Sequence, residues 1–399
     1  YSIDYVEVKD NSGNSIRYYK TDLDALGFNT SFELIDNSNI TYTVPSSGMH
    51  IVHSSNGDAT VNASYNISDS KTVVQIINQG DGSTILNATS SIYGGFGVSG
   101  DNKADGIYVK NESINSKDII INSQSVRGYD QGILAWNFGS GKIQIKTDGD
   151  INADSNFDNQ YAGIGIWAKQ ISGKDLVIEV SGNITSTNGS IEAYHYGSNN
   201  IEITNLAQIS SMQGYGIQLY NGYSDTVNES SNDIIISANS VSSKYSGIVA
   251  HNHGSGSIDI TTTGFIVTGN NNYTYIENSR EFSRGIEAYN IFENAKDIII
   301  NTKDISAVSN GVWVRNYGSG YTSINIDGTI NVTGSSNYSI SKGIFADSNG
   351  ADINISVNGN INSSHDGIST FQGGAGKINI TTGDILASTG MGIYADNSE

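Results

Sequence analysis

A glycine followed by isoleucine or valine recurs at Gly106, Gly132, Gly165, Gly216, Gly247, Gly285, Gly311, Gly343, Gly367 and Gly392, and Ser190-Ile191 fills the one gap in the series. Neighbouring positions lie 24 to 38 residues apart, a unit of about 25 residues that sometimes carries an insertion. Self-similarity at such a period marks a solenoid, in which each unit buries its apolar face only by stacking on the next. A single globular core seldom extends to 399 residues, whereas a solenoid grows by adding units.

The segment Gly132 to Ala153, GILAWNFGSGKIQIKTDGDINA, shows what one unit does. A first strand alternates inward Ile133 and Ala135 with outward Leu134 and Trp136. A Gly-Ser-Gly corner leads to a second strand with Ile143 and Ile145 inward, and a short third strand around Ile151 closes the turn. Period-two runs of four to six residues between Gly, Asn, Asp and Ser indicate strands. Three strands per turn, each stacked on its equivalent, predict an all-β parallel β-helix of about 25 residues per coil. The usual right-handed crossover makes it right-handed. Residues 46–399 are assigned to the helix, with weaker repeats at Gly48 and Thr72. Residues 1–45 lack the repeat and are assigned to an N-terminal cap over the first open ladder.

Five residues after the glycine stand Asn111, Asn137, Asn221, Asn252, Asn290, Asn316 and Asn397. A column of asparagine at one corner predicts a structural ladder of side-chain amides, with no functional role.

Composition narrows the chemistry. The chain has no cysteine, a formal charge of −20 and one proline, Pro45. Disulfides and thiolate chemistry are excluded, and nucleic acid is an unsuitable partner for so acidic a surface. No apolar run approaches the roughly 20 residues of a membrane span. The chain starts at Tyr1 and stops within a repeat at Glu399, which suggests an excised piece of a longer exported protein.

Units of the form G-I-x-A-x-N-x-G-S-G-x-I-x-I-x-T-x-G-x-I, at Gly132–Ile151 and Gly247–Ile266, resemble the passenger domains of bacterial autotransporter adhesins. The likeness covers about residues 46–399 and is one of pattern and composition. It implies export through the outer membrane and display on a Gram-negative cell surface, anchored by a C-terminal barrel that lies outside this sequence. Its implied work is attachment to a host glycan or protein, or aggregation of the bacteria by self-association. Some members carry a serine protease with a Gly-Asp-Ser-Gly motif; here Gly80-Asp81-Gly82-Ser83 breaks that order.

Other chemistry is weakly signalled, and no cofactor or metal is expected. Gly95-Phe96-Gly97-Val98-Ser99-Gly100 matches a dinucleotide fingerprint by letter, but no helical pattern follows it. His251 and His253 lie two apart, and no third histidine falls in a neighbouring coil. A β-helical polysaccharide lyase or hydrolase, the main enzymatic alternative, needs converging carboxylates. Asp118, Asp175, Asp233 and Asp297 begin second strands, but the column alternates with Lys142, Asn200, Ser257 and Lys377, as a solvated acidic face would.

The expected binding face is aromatic. Trp136, Trp167 and Trp313 all fall at outward positions of the first strand, with Tyr108, Phe345 and Tyr394 in the second column and Tyr194, Tyr220, Tyr289 and Phe371 in the fourth. Such a face can stack on sugar rings or pack against a protein; equally, strand aromatics pair with one another between coils. Insertions at 154–162, 269–284 and 334–342 join third strands to first strands, and the latter two add Tyr273, Tyr275, Phe282 and Tyr338. Loops on a rigid scaffold often carry binding.

Overall fold

A computed structural model describes residues 5–9, 13–19, 39–69, 72–94, 104–155, 162–222, 233–269, 283–334 and 341–398. Two compact units divide the chain, Tyr1–Thr187 and Asn188–Glu399. Each is a parallel β-helix of three-stranded coils.

In residues 1–187 the first strands Met49–His53, Val74–Asn78, Ile107–Asn111, Gln131–Asn137 and Ile164–Gln170 pair in parallel, in sequence order. Second strands stack likewise from Ile40–Thr43 to Leu176–Val180. Third strands run from Ile67–Asp69 to Ile184–Ser186. Of the segment assigned to the cap, Tyr5–Lys9 and Ser15–Tyr19 form an antiparallel pair, and Ser15–Tyr19 pairs antiparallel with Met49–His53. Ile40–Thr43 already joins the parallel second-strand stack.

Residues 188–399 repeat the plan. First strands run from Ile191–His195 through Ile217–Asn221, Ile248–Asn252, Ile286–Asn290, Val312–Asn316, Ile344–Ser348 and Ile368–Gln372 to Ile393–Asn397. In two coils the second and third strands fuse, as Ile201–Ser211 and Ile234–Ser243, and a register shift between Asn205 and Gln208 takes up the missing corner.

The alternation sorts side chains by face. Inward isoleucines such as Ile133, Ile143, Ile151, Ile248, Ile258 and Ile266 have no exposed surface. Each buried isoleucine contributes about 1.5–3 kcal/mol.

The recurrent glycine has a steric cause. A Cβ on Gly311 would lie 2.5 Å from Ile330 Cγ2 and 2.6 Å from the Gly343 carbonyl oxygen. On Gly132 it would lie 2.6 Å from the Gly165 oxygen and 2.7 Å from Ile151 Cγ2. The third-strand isoleucine therefore packs into the space that a side chain would fill. Glycine and third-strand isoleucine recur together because they occupy one site.

Candidate binding face

Even-numbered positions of the first strands point away from the core, and parallel register stacks them into columns. In residues 1–187 one column reads Val52, Ile77, Lys110, Trp136 and Lys169. Trp136 and Trp167 meet edge to face at 5.5 Å, and Lys110 Nζ lies 5.4 Å from the centre of the Phe138 ring.

In residues 188–399 the rings form an unbroken file. Tyr194 stacks on Tyr220 at 5.4 Å, and His251 meets Tyr220 at 5.1 Å and Tyr289 at 5.8 Å, both edge-on. Tyr289 meets Trp313 at 6.1 Å, Trp313 stacks on Phe345 at 6.0 Å, and Phe371 and Tyr394 follow at 5.8 and 5.4 Å. All eight rings are half-buried. The inter-coil pairing weighed from the sequence is thus present, each contact contributing about 0.5–1.5 kcal/mol beyond area burial.

Cations gather at the middle of the file. The Arg284 guanidinium lies 4.3 Å from the Trp313 ring centre and the Arg315 guanidinium 4.8 Å from it. Arg315 also lies 5.8 Å from the centre of Phe345, and Lys342 Nζ lies 5.3 Å from the same ring. Arg284 and His251 both donate to Glu287, at 2.6 and 3.0 Å. Burial works against charge on Glu287, but the His251 bond and the Arg284 charge prevail and hold its carboxyl below the ordinary range. Lys342 pairs with Asp366 at 3.2 Å and donates to Ser369 Oγ at 3.0 Å. Glu192, in the second outward column, has its carboxyl pushed up to about 7 by burial alone.

Trp136, Trp167, Trp313, Tyr194, Tyr220 and Tyr289 therefore occupy outward first-strand positions. Tyr273, Tyr275, Phe282 and Tyr338 lie outside the described residues. Sequence reasoning passed over Arg284, Arg315, His251 and Glu287 as members of the face. The available signal was the scarcity of arginine: of Arg127, Arg280, Arg284 and Arg315, two attend one tryptophan.

The asparagine column works differently from the expected ladder. Asn111, Asn137, Asn221, Asn252, Asn290 and Asn316 are fully buried, while Asn397 is exposed in the last described coil. Side-chain links along the column exist, Asn290 to Asn316 at 3.5 Å for example. More of its bonds close the corner itself. Asn137 Oδ1 accepts from Gly139 N at 3.0 Å, and its Nδ2 donates to the Gly141 oxygen at 3.3 Å and the Lys117 oxygen at 3.1 Å. Asn252 and Asn316 repeat this with Gly254 and Gly256, and with Gly318 and Gly320. His53, Asn78, Gln170, His195, Ser348 and Gln372 complete the column, all fully buried. His53 Nε2 reaches the Gly57 oxygen at 2.9 Å, the same fourth-residue carbonyl that asparagine uses.

Amide-to-amide runs lie instead on the outer faces of the second and third strands. Asn87 donates to Asn62 and Asn122 to Asn87; in the other unit Asn325 donates to Asn301, Asn379 to Asn354 and Asn362 to Asn331.

The acidic corners also have a structural task. Asp118 Oδ1 accepts the Lys142 backbone N–H at 2.9 Å, Asp233 that of Ser257 at 2.8 Å, Asp297 that of Tyr321 at 3.0 Å and Asp352 that of Lys377 at 2.8 Å. Each carboxylate staples its corner to the next coil. The alternation then follows, since two aspartates on successive coils would set like charges opposite one another. Among the described residues no group of three metal-ligating side chains gathers. A shallow cavity of ≈ 300 Å³ opens beside Asn301, Lys303, Asn325, Asp327 and Asn358, without aromatic lining.

No family model, curated protein or solved structure matches the chain.

Proposed function

We propose that this chain is the passenger of a surface-displayed bacterial adhesin, of the autotransporter kind its repeats resemble, and that it binds a host glycan or protein through the aromatic first-strand face. The observation that carries this reading is the unbroken file of half-buried rings from Tyr194 to Tyr394, set on a rigid sheet and dotted with cations. Of the two guanidinium groups beside Trp313, that of Arg284 is buried against Glu287, whereas the Arg315 side chain stays 38% exposed and open to a partner. Outward rings and arginine are the side chains that dominate binding hot spots.

The test is attachment of bacteria displaying the chain to host cells and to immobilised glycans. Replacing Trp136, Trp167 and Trp313 together with alanine is expected to reduce attachment at least tenfold, since a single hot-spot residue is worth about 2 kcal/mol or more. Far-ultraviolet circular dichroism should be unchanged. Normal attachment by a folded triple variant rejects the reading.

A second reading, aggregation by self-association, is favoured by the outward amide runs such as Asn301–Asn325 and Asn354–Asn379, whose geometry is fixed and whose polar edges face out. Sedimentation of the purified chain tests it. A concentration-dependent dimer that weakens when Asn325 and Asn354 become leucine supports it, and a strict monomer at high concentration rejects it.

A further inference from the structure

We propose that the aromatic face of residues 188–399 selects a sugar bearing a carboxylate, and that Arg315 is the side chain that recognises the acid group. The proposal rests on the adhesive reading above and names its ligand class.

Two of the three cations beside the rings are committed to carboxylates. Arg284 is buried and tied to Glu287 at 2.6 Å. Lys342 holds Asp366 and Ser369. Arg315 differs from both. Among the described residues its guanidinium makes no hydrogen bond; its nearest carboxylate, Asp347, stands 3.7 Å from Nε, beyond hydrogen-bond reach. Burial keeps the Asp347 carboxyl above the usual range, and Arg315 only partly offsets it.

Arg315 is nonetheless well placed. Its guanidinium sits by both Trp313 and Phe345, at 4.8 and 5.8 Å, while the side chain stays 38% exposed. Ring contact uses none of a guanidinium's N–H donors, and the buried Arg315 Nε has no hydrogen-bond partner. The planar fork of donors matches a carboxylate in two parallel hydrogen bonds, which lysine cannot reproduce. Partial burial and contact with the rings reduce the freedom lost on binding.

The neighbouring surface points to a saccharide. From Phe345 the file continues through Phe371 and Tyr394, tilted by 48° and 49°, one ring per coil. Repeated half-exposed rings suit the apolar faces of successive sugar units beside the acid clamp. A peptide carboxylate would need the single arginine and not the run.

Titration calorimetry on the whole chain, with tryptophan fluorescence as a second readout, tests the proposal. The probes are oligogalacturonate, a hyaluronan oligosaccharide and sialyllactose, each against its own methyl ester. In at least one pair the acid should bind roughly 10- to 100-fold more tightly, the range of a charge-assisted hydrogen bond. Arg315→Ala should erase that preference, Arg315→Lys should retain part of it, and Arg127→Ala should leave it intact. Loss of preference in no variant, or no acid preference in any pair, overturns the proposal. So does tighter binding of a glutamate-rich peptide through Arg315. Esters that bind as well as acids, in a manner dependent on Trp313, would overturn the clamp and leave the adhesive reading standing. Absence of saccharide binding together with normal attachment by the tryptophan variants would remove both.

Discussion

Residues 1–187 and 188–399 share one inside and differ outside. Both fill their coils with fully buried isoleucine, close the first corner with asparagine or a substitute, and place glycine where the third strand packs. On the outer first-strand face the first unit mixes valine, isoleucine, lysine and one tryptophan pair. The second carries an unbroken ring file with three attendant cations. Inward positions are fixed by packing, so they converge. Outward positions are unconstrained by the core, so a sustained pattern there reflects a different demand, and in this chain that demand is strongest after residue 188.

The sharpest way to break the comparison is to attack what the units share. Gly132→Val and Gly311→Val each drive a branched side chain into the next coil's backbone and a third-strand isoleucine. Each is expected to destabilise its unit by about 3 kcal/mol, the upper end for overpacking. Urea unfolding should show losses of similar size in both variants. A variant that unfolds with the parent would mean that the coils slide apart easily, and that the glycine recurs for another reason.

What the sequence reveals follows the same inside-outside division. Strand positions and facing were legible because Ile133, Ala135, Ile143 and Ile151 obey period two, and because one glycine phases every coil. Trp136 and Trp313 fell outward on the same arithmetic. The role of Asp118 was not legible, since its partner is the backbone N–H of Lys142, and a backbone group leaves no letter in the sequence. Arg284 escaped for a related reason. It precedes its glycine and belongs to no strand column, and only the fold brings it over Trp313. The corner column shows in the sequence only through its repeated asparagine, while His53 and Gln170 fill the same place with a different side chain that satisfies the equivalent carbonyls.

A smaller effect separates the units by their response to pH. In the first, Glu112 is held below the ordinary carboxylate range, chiefly by its hydrogen bond with Lys110. Its contribution is present above the unfolded value of 4.5 and lost as pH falls further. In the second, Glu192 is raised from 4.5 to about 7 by burial, which reverses the sign. Between those values the folded chain binds more protons at this site than the unfolded chain does. Stability from this group is therefore full below pH 4.5, falls as pH rises and is lowest above 7. His253, whose charged form burial disfavours, acts in the opposite direction below its ordinary 6.5, so a simple pH profile would mix the two. Glu192→Gln isolates the carboxyl. Relative to the parent it should be neutral near pH 4 and more stable by about 2 kcal/mol at pH 8, less than the full rise from 4.5 to about 7 corresponds to, because the half-buried carboxyl keeps part of its hydration. Urea midpoints measured at both pH values check this, and an advantage of equal size at both would show that the glutamine packs better and that the charge is well solvated in the folded chain.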